Sequence, residues 1–431
     1  MTDLVLCDCR VSGWPSKVDI AVESGRISWI GEKFHGEPTS ILDCGGNAVI
    51  PGLIEPHLHL DKALLDAERP NEDGTLAGAI AITAELKRSF THGGVRQRAA
   101  RVLEQAVTNG TSLIRAHPDI DPIVGLLCFD VLVELREDYA DLVDLQVVAF
   151  PQEGILRAPG TLDLLIEALR RGADVIGGCS YNEESVEDSR RHIDLVFGLA
   201  DQFGVPVDIH ADFADDDSDP RFGLADYIAE RTRRSGLGGQ VTLGHMTSLA
   251  GLDPAHRKDV LADLAEAGVA VVVLPVTDMH LSGRADRVNV RRGIAPVREL
   301  LDAGVRTGLS SNNVRNGFTP FGNTDVLDIA LFLAQTSHLG GPEDFRRLID
   351  MVTTGAAGIV GVAKDYGVRP GALADLVVLD AATPEEALLA RAPRRFVLKR
   401  GRIVATTEVR TQLYRSPISP SLPSASLPSE V

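Results

Sequence analysis

Two histidines separated by one residue, His57 and His59 in "EPHLHLDK", are the first side chains here whose type and spacing suggest chemistry. On a β-strand, side chains two apart face the same side, so the two imidazoles converge. Neutral imidazoles that converge are good ligands for Zn²⁺ or Fe²⁺. An H-x-H pair alone is a weak signal. Its place after "AVIPGLIEP", at the head of a series of strand–helix units, makes it strong. A third ligand must come from another strand end. His210 in "PVDIHADF" closes the fifth strand of the series, and His245 in "VTLGHMTS" closes the sixth in the same register. A lone histidine at a strand end is more often structural, but four at three rim positions of one barrel reverse those odds. Gln152 in "AFPQEG" ends the third strand. A rim amide offers a donor and an acceptor, which suits the edge of a planar amide or amidine; a loop-capping amide is an equal reading. His117 in "IRAHPDID" stays open between a rim group and a satisfied polar group under a loop.

Such positions need a scaffold that gathers strand ends. From Pro51 to about residue 365, short β-branched runs alternate with amphipathic segments such as "RQRAARVLEQAVTNG" and "RKDVLADLAEAG". Eight strands end at "GLIEPHLHLD", "SLIRAHPDID", "QVVAFPQEG", "DVIGGCS", "PVDIHAD", "QVTLGHMT", "VAVVVLPVTD" and "TGLSSNN". Eight βα units with polar residues at the C-terminal strand ends predict a (β/α)8 TIM barrel with its site at that rim. Residues 1–50 and 367–410 read as short strands, including a hairpin of "VDIAVE" and "ISWIGE" about Ser24–Gly25–Arg26. They are expected to pair as one discontinuous β-sandwich flanking a barrel over 51–366. The Pro/Ser-rich end, 411–431, is expected to be disordered.

Composition removes several classes of function. The 431 residues carry a net charge of −18, which argues against nucleic acid or an anionic membrane as partner. Hydrophobic residues make up 44% and charged residues 24%, as in an ordinary soluble globular protein. No apolar run reaches membrane-span length, and "MTDLVLCDCR" lacks the basic start of a secretion signal. Five scattered cysteines make no disulfide framework. The expectation is a cytoplasmic protein acting on a small molecule, with a homo-oligomer left open. Cys7 and Cys9 are expected to share one side of a strand rather than to form a thiolate site.

The stretches "PGLIEPHLHLDK", "AFPQEGIL", "VPVDIHAD", "LGHMTS", "HLSGRADRVNVRRGIAPVRELLDAGV", "VRNGFTPFGNTDVLDIALF" and "GALADLVVLD…VLKRGRIVAT" cover nearly the whole chain apart from the tail. In them the chain resembles the amidohydrolase superfamily, and within it the cytosine deaminase-like group, which also holds enzymes acting on N-alkylated triazines. The resemblance implies a metal-bearing barrel with a flanking β-sandwich. It further implies ligation of the metal by His57, His59 and His210, a catalytic role for His245, and substrate contact by Gln152. Lys62, after "HLHLD", is closer to the triazine-degrading relatives than to cytosine deaminase, whose pattern has threonine there. A rim lysine paired with a carboxylate is the alternative. No lysine closes the fourth strand, "VIGGCSYN", where two-metal relatives place a carboxylated lysine. One divalent ion per chain, Zn or Fe, is therefore expected.

Two departures stand out. Cytosine deaminases read H-C-D-E after the fifth-strand histidine, and that glutamate shuttles protons; here the stretch is His210-Ala211-Asp212-Phe213. At the end of strand eight the family pattern is H-D-D-V, whose first aspartate binds the metal and takes a proton; here it is Ser311-Asn312-Asn313-Val314. Losing the anionic ligand leaves the metal more positive, and three neutral histidines with zinc suffice to acidify water in carbonic anhydrase. What disappears is the positioned proton acceptor, a factor of roughly 10²–10⁴. Asp212 is the natural substitute, since it faces the same side as His210 if the strand extends that far; His245 and then Asp61 follow. A structural cap is an equal reading of Asp212. Asn312 keeps a place as a catalytic candidate through its amide oxygen. Phe213, Asn313, Lys62 and Gln152 are the candidates for substrate contact. The expected function is hydrolysis of a non-peptide C–N bond in a small cyclic amide, amidine or N-substituted heterocycle, not cytosine itself. The alternative is an altered or inactive amidohydrolase-fold protein that only binds a ligand.

Overall fold

The computed structural model describes residues 2–413, so most of the Pro/Ser-rich end lies outside the described residues. Its centre is a parallel eight-stranded sheet in sequential order. The strands are β1 (Leu53–Leu58), β2 (Thr111–Ala116), β3 (Asp144–Ala149), β4 (Val175–Cys179), β5 (Val207–Ala211), β6 (Val241–His245), β7 (Ala270–Val273) and β8 (Thr307–Leu309). All eight are those expected from the sequence. Apart from two half-buried positions in β3, every residue of these strands is buried, because helices cover the outer face and side chains fill the inside. Runs such as "AVVV" in β7 therefore carry no alternation to read.

The sheet closes on itself between its shortest strand and its first. Beyond β8, Asn312 bridges Leu58 in parallel register. The Asn312 N–H donates to the His57 carbonyl at 3.1 Å, and the His59 N–H donates to the Asn312 carbonyl at 2.9 Å. Glu55 clasps the same seam, accepting from the Ser310 and Ser311 hydroxyls and from the Ser311 N–H at 2.9 Å. Burial pushes the Glu55 carboxyl up to about 7, although these serine bonds pull the other way.

The chain ends build two four-stranded sheets. One orders Arg26–Gly31, Val18–Glu23, Leu4–Cys9 and Ser40–Asp43; the other orders Arg402–Thr406, Arg394–Lys399, Leu376–Leu379 and Val49–Pro51. Leu6, Ile20 and Val22 of the first pack with Val49, Leu376 and Val378 of the second in one core, so both ends of the chain make a single β-sandwich. Asp8 interrupts the alternation between Cys7 and Cys9: its φ of 56° and a register shift between Leu6 and Cys9 break the strand's period. Cys7 is half-buried and Cys9 fully buried. Among the described residues no helix is long and apolar enough to cross a membrane.

Candidate active site

His57 sits one residue before the end of β1 and His59 one residue past it, and His210 sits one residue before the end of β5. A donor nitrogen from each lies within 4.8 Å of the others, all three residues buried. Between them runs β6, where the close approach requires glycine. A Cβ on Gly244 would stand 3.0 Å from His57 Cε1 and 3.7 Å from His210 Cδ2. Burial pushes the His57 imidazole down to about 3 and holds those of His59 and His210 far below their ordinary value, so all three are neutral. Neutral imidazole is the form that ligates.

The surroundings aim these rings. His59 Nδ1 lies 2.8 Å from the His117 carbonyl, which fixes Nδ1–H and leaves Nε2 toward the cluster. Asp208, inside the barrel, places Oδ1 3.3 Å from His117 Nε2 and 3.7 Å from His57 Nδ1. Arg115 donates to the other Asp208 oxygen at 3.0 Å. Burial opposes ionisation of Asp208, but His117 and Arg115 hold it well below the usual carboxylate range. His117 also stacks on His57 at 3.9 Å between centroids, so it is a supporting group rather than a free rim residue. His57 Nδ1 and Nε2, His210 Nε2 and Asn312 Oδ1 have no hydrogen-bond partner among the described residues. Buried polar atoms are rarely left so, and a divalent cation satisfies this donor set. Two further groups, His57–His117–Asp208 and His59–Asp61–Asp119, have comparable spacing. Their carboxylates already face Arg115, Lys62 and Lys87, which repel a second cation.

His245 closes β6 in the left-handed region, φ 74°, followed by Met246 at 60°. That strained turn brings Nδ1 to 2.6 Å from Asp278 Oδ1. His245 Nε2 hydrogen-bonds nothing among the described residues, and the ring lines the same narrow chamber as His59 and His210. Phe213 points inward and lies flat on the His245 ring, 4.0 Å between centroids at 10°. An apolar face therefore stands where relatives are expected to carry a proton-shuttling glutamate. Burial raises the Asp278 carboxyl while His245 pulls it back, and Asp278 Oδ2 has no partner among the described residues. Asp278 was not singled out in the sequence. It follows β7 in the helix Pro275–Leu281, where its only mark is a carboxylate just past a strand's C-terminal end.

Asp212 takes the capping role that the sequence left open. With φ 48°, it turns away and accepts from the Leu224 and Ala225 N–H groups at 2.9 and 3.1 Å, at the start of the helix Ala225–Ser235. Burial raises this carboxyl to about 6, against the pull of those two bonds. Asp212 does not line the chamber that His59, His210 and His245 share. Asp61 is likewise engaged, accepting from the Asp119 N–H at 3.0 Å.

Lys62 is 1% exposed and donates to Asp119 Oδ1 at 2.5 Å and to Gln152 Oε1 at 3.1 Å. Gln152 thus lines the chamber with its oxygen already engaged, a refinement of the two-sided amide expected from sequence. Asn312 and Asn313 also line the chamber. Asn313 also borders an apolar cleft of about 990 Å³ with Val276, Met279, Phe321, Ile329 and Phe332 in its wall.

Comparison with known proteins agrees with this geometry. A family model described as "Amidohydrolase family" matches residues 40–405. The chain is similar to the N-isopropylammelide isopropyl amidohydrolase of Pseudomonas sp. (strain ADP), 29% identical over 94% of this chain and 98% of that protein. It is 30% identical to the pterin deaminase of Rhizobium rhizogenes, over 90% of this chain and 88% of the other. A solved 5-methylcytosine deaminase from Klebsiella pneumoniae, liganded with 5-fluorocytosine, superposes with a TM-score of 0.90 at 29% identity, covering 95% and 99% of the two chains.

Proposed function

The chain belongs to the amidohydrolase family, and from that premise we propose that it hydrolyses an exocyclic or ring C–N bond of a small N-heterocycle, cyclic amide or amidine. The observation that carries this reading is the convergence of neutral His57, His59 and His210, with ring nitrogens of His57 and His210 left without a hydrogen-bond partner among the described residues. These three would hold one zinc or iron ion per chain. A divalent cation bound there supplies Lewis acidity to water and to the substrate's polarised carbon. Relatives that act on an N-alkylated ammelide, a pterin and a methylcytosine point the same way for the substrate class.

The chain's own residues supply the rest. His245 Nε2 faces the chamber and would take a proton from the attacking water and return it to the leaving nitrogen. Asp278 would keep His245 in the tautomer that presents a bare Nε2 and would stabilise the ring while it carries the proton. Lys62 would act through Gln152, holding that amide against the substrate ring. Phe213 would exclude water from the face of His245 and give the substrate plane an apolar contact. Asn312 would lend its free Oδ1 to the metal or to the water beside it. The test is elemental analysis of protein purified without added metal, followed by ammonia and amine release from cyclic amidines and N-alkylated heterocycles. About one ion per chain with release from any such ring supports the proposal. A bound ion with no turnover of the whole panel favours a ligand-binding protein instead.

A further inference from the structure

Outside the histidine chamber, the apolar cleft of about 990 Å³ is walled by the helices that follow β7 and β8, Pro275–Leu281 and Val326–Thr336. None of His57, His59, His210 and His245 lines it, and among the described residues it shares only Asn313 with the chamber. Val276 and Met279 come from the first helix, Ile329 and Phe332 from the second, and Val290 and Phe321 from the loops beside them. Met279, Phe321 and Val290 are 40%, 57% and 63% exposed. Large apolar side chains gathered in the open around one concavity mark a binding surface. The charges of its wall are matched, with one exception. Arg315 meets Asp66 at 3.0 Å, and Asp328 meets Arg391 at 3.3 Å. Burial, and then the charge of Arg284, hold the His280 imidazole below its ordinary value, so that ring is neutral. Arg284 forms no ion pair among the described residues. Its Nε donates to the His280 carbonyl at 2.8 Å and its Nη2 lies 3.1 Å from the His280 ring, which stands edge-on to Phe321 at 5.7 Å between centroids. Asp73 feels this charge but accepts the Thr75 N–H and hydroxyl, each at 2.8 Å, instead. Arg284 Nη1 is left with no hydrogen-bond partner among the described residues.

We infer that this cleft is a second ligand site, for an apolar monoanion: an aryl or alkyl carboxylate whose body lies against Phe321, Ile329 and Phe332 and whose carboxylate meets Arg284. An uncharged apolar molecule would cover the guanidinium and leave it without a partner. One unmatched cation neutralises one negative charge. A dianion such as a phosphate monoester would keep a charge beside Asp328 and Asp73, on a chain whose net charge is already −18. The site stands apart from the proposed hydrolysis and needs no metal, so it is tested by binding alone.

The experiment is titration calorimetry of the full chain, metal-loaded and metal-stripped, with naphthalene-2-carboxylate and its neutral analogue naphthalene-2-methanol. The carboxylate is expected to bind about fivefold tighter than the alcohol, equally with and without metal. Arg284→Met keeps the length of the side chain and removes its charge, so it should erase that preference while the alcohol binds as before. Phe321→Ala, at an exposed position where folding loses little, should weaken both ligands alike. No binding of the carboxylate, equal affinities in the unaltered chain, or a preference that survives Arg284→Met each overturn the inference. So does binding that disappears with the metal or in His57→Ala, since the carboxylate would then sit in the histidine chamber.

Discussion

Two buried histidine–carboxylate pairs of the barrel, His192–Glu183 and His245–Asp278, look alike and differ in what the second ring nitrogen does. His192 Nδ1 meets Glu183 at 2.7 Å, and His192 Nε2 accepts the Cys179 N–H at 3.1 Å. Glu183 also receives N–H groups from Ile155, Leu156 and Arg157 at 2.7–3.1 Å, and these bonds with His192 hold it below its ordinary value despite burial. Every polar atom of that pair is used. His245 meets Asp278 at 2.6 Å, yet among the described residues Nε2 has no hydrogen bond and Asp278 Oδ2 no partner. A dyad is thus no mark of catalysis by itself. The first ties the loop after β3 to the end of β4; the second leaves a nitrogen available for a proton.

The largest effect should come from removing the cluster that His245 faces. His57→Ala is expected to take metal content from about one ion per chain to near none and to abolish turnover, as read by elemental analysis and amine release. Full activity would refute the ligand assignment. His245→Gln should keep the metal and lose about 10²–10⁴ in kcat. Asp278→Asn should keep metal and melting temperature, lose about 10–10² in kcat, and alter the pH–rate profile. An unaltered profile would reduce Asp278 to packing. Glu183→Gln is expected to reverse that pattern, costing about 1–3 kcal/mol of stability by denaturant titration with far less effect on kcat than Asp278→Asn. If Glu183→Gln costs more in rate than in stability, the contrast between the dyads fails. The smallest change should be Asp212→Asn: about 1 kcal/mol lost from the helix it caps, and a rate unchanged across pH.

The residues that could be read from sequence are those whose position follows from local pattern. The eight strands announce themselves by β-branched runs between amphipathic helices, and His57, His59, His210 and His245 by standing at strand ends. Asp278 was hidden because its partner lies 33 residues away and because it sits inside a short helix, not at a strand end. The choice between Asp212's two roles, cap or base, was open in the sequence for a local reason. Extended geometry would have turned it toward His210, but its left-handed backbone rotates the carboxylate to a helix start. The polarity of Gln152 was illegible because it depends on Lys62 arriving from the turn after β1, 90 residues earlier.

The barrel seam has a consequence for how this site changes over generations. Asn312 closes the sheet with its main chain alone, bonding the backbones of His57 and His59, while its side-chain oxygen takes no part. Because closure does not depend on the side chain, the backbone seam itself can form with either asparagine or aspartate there. Their codons differ by a single base. The side chain at this position can therefore pass between neutral and anionic beside the histidine cluster without first rebuilding the barrel.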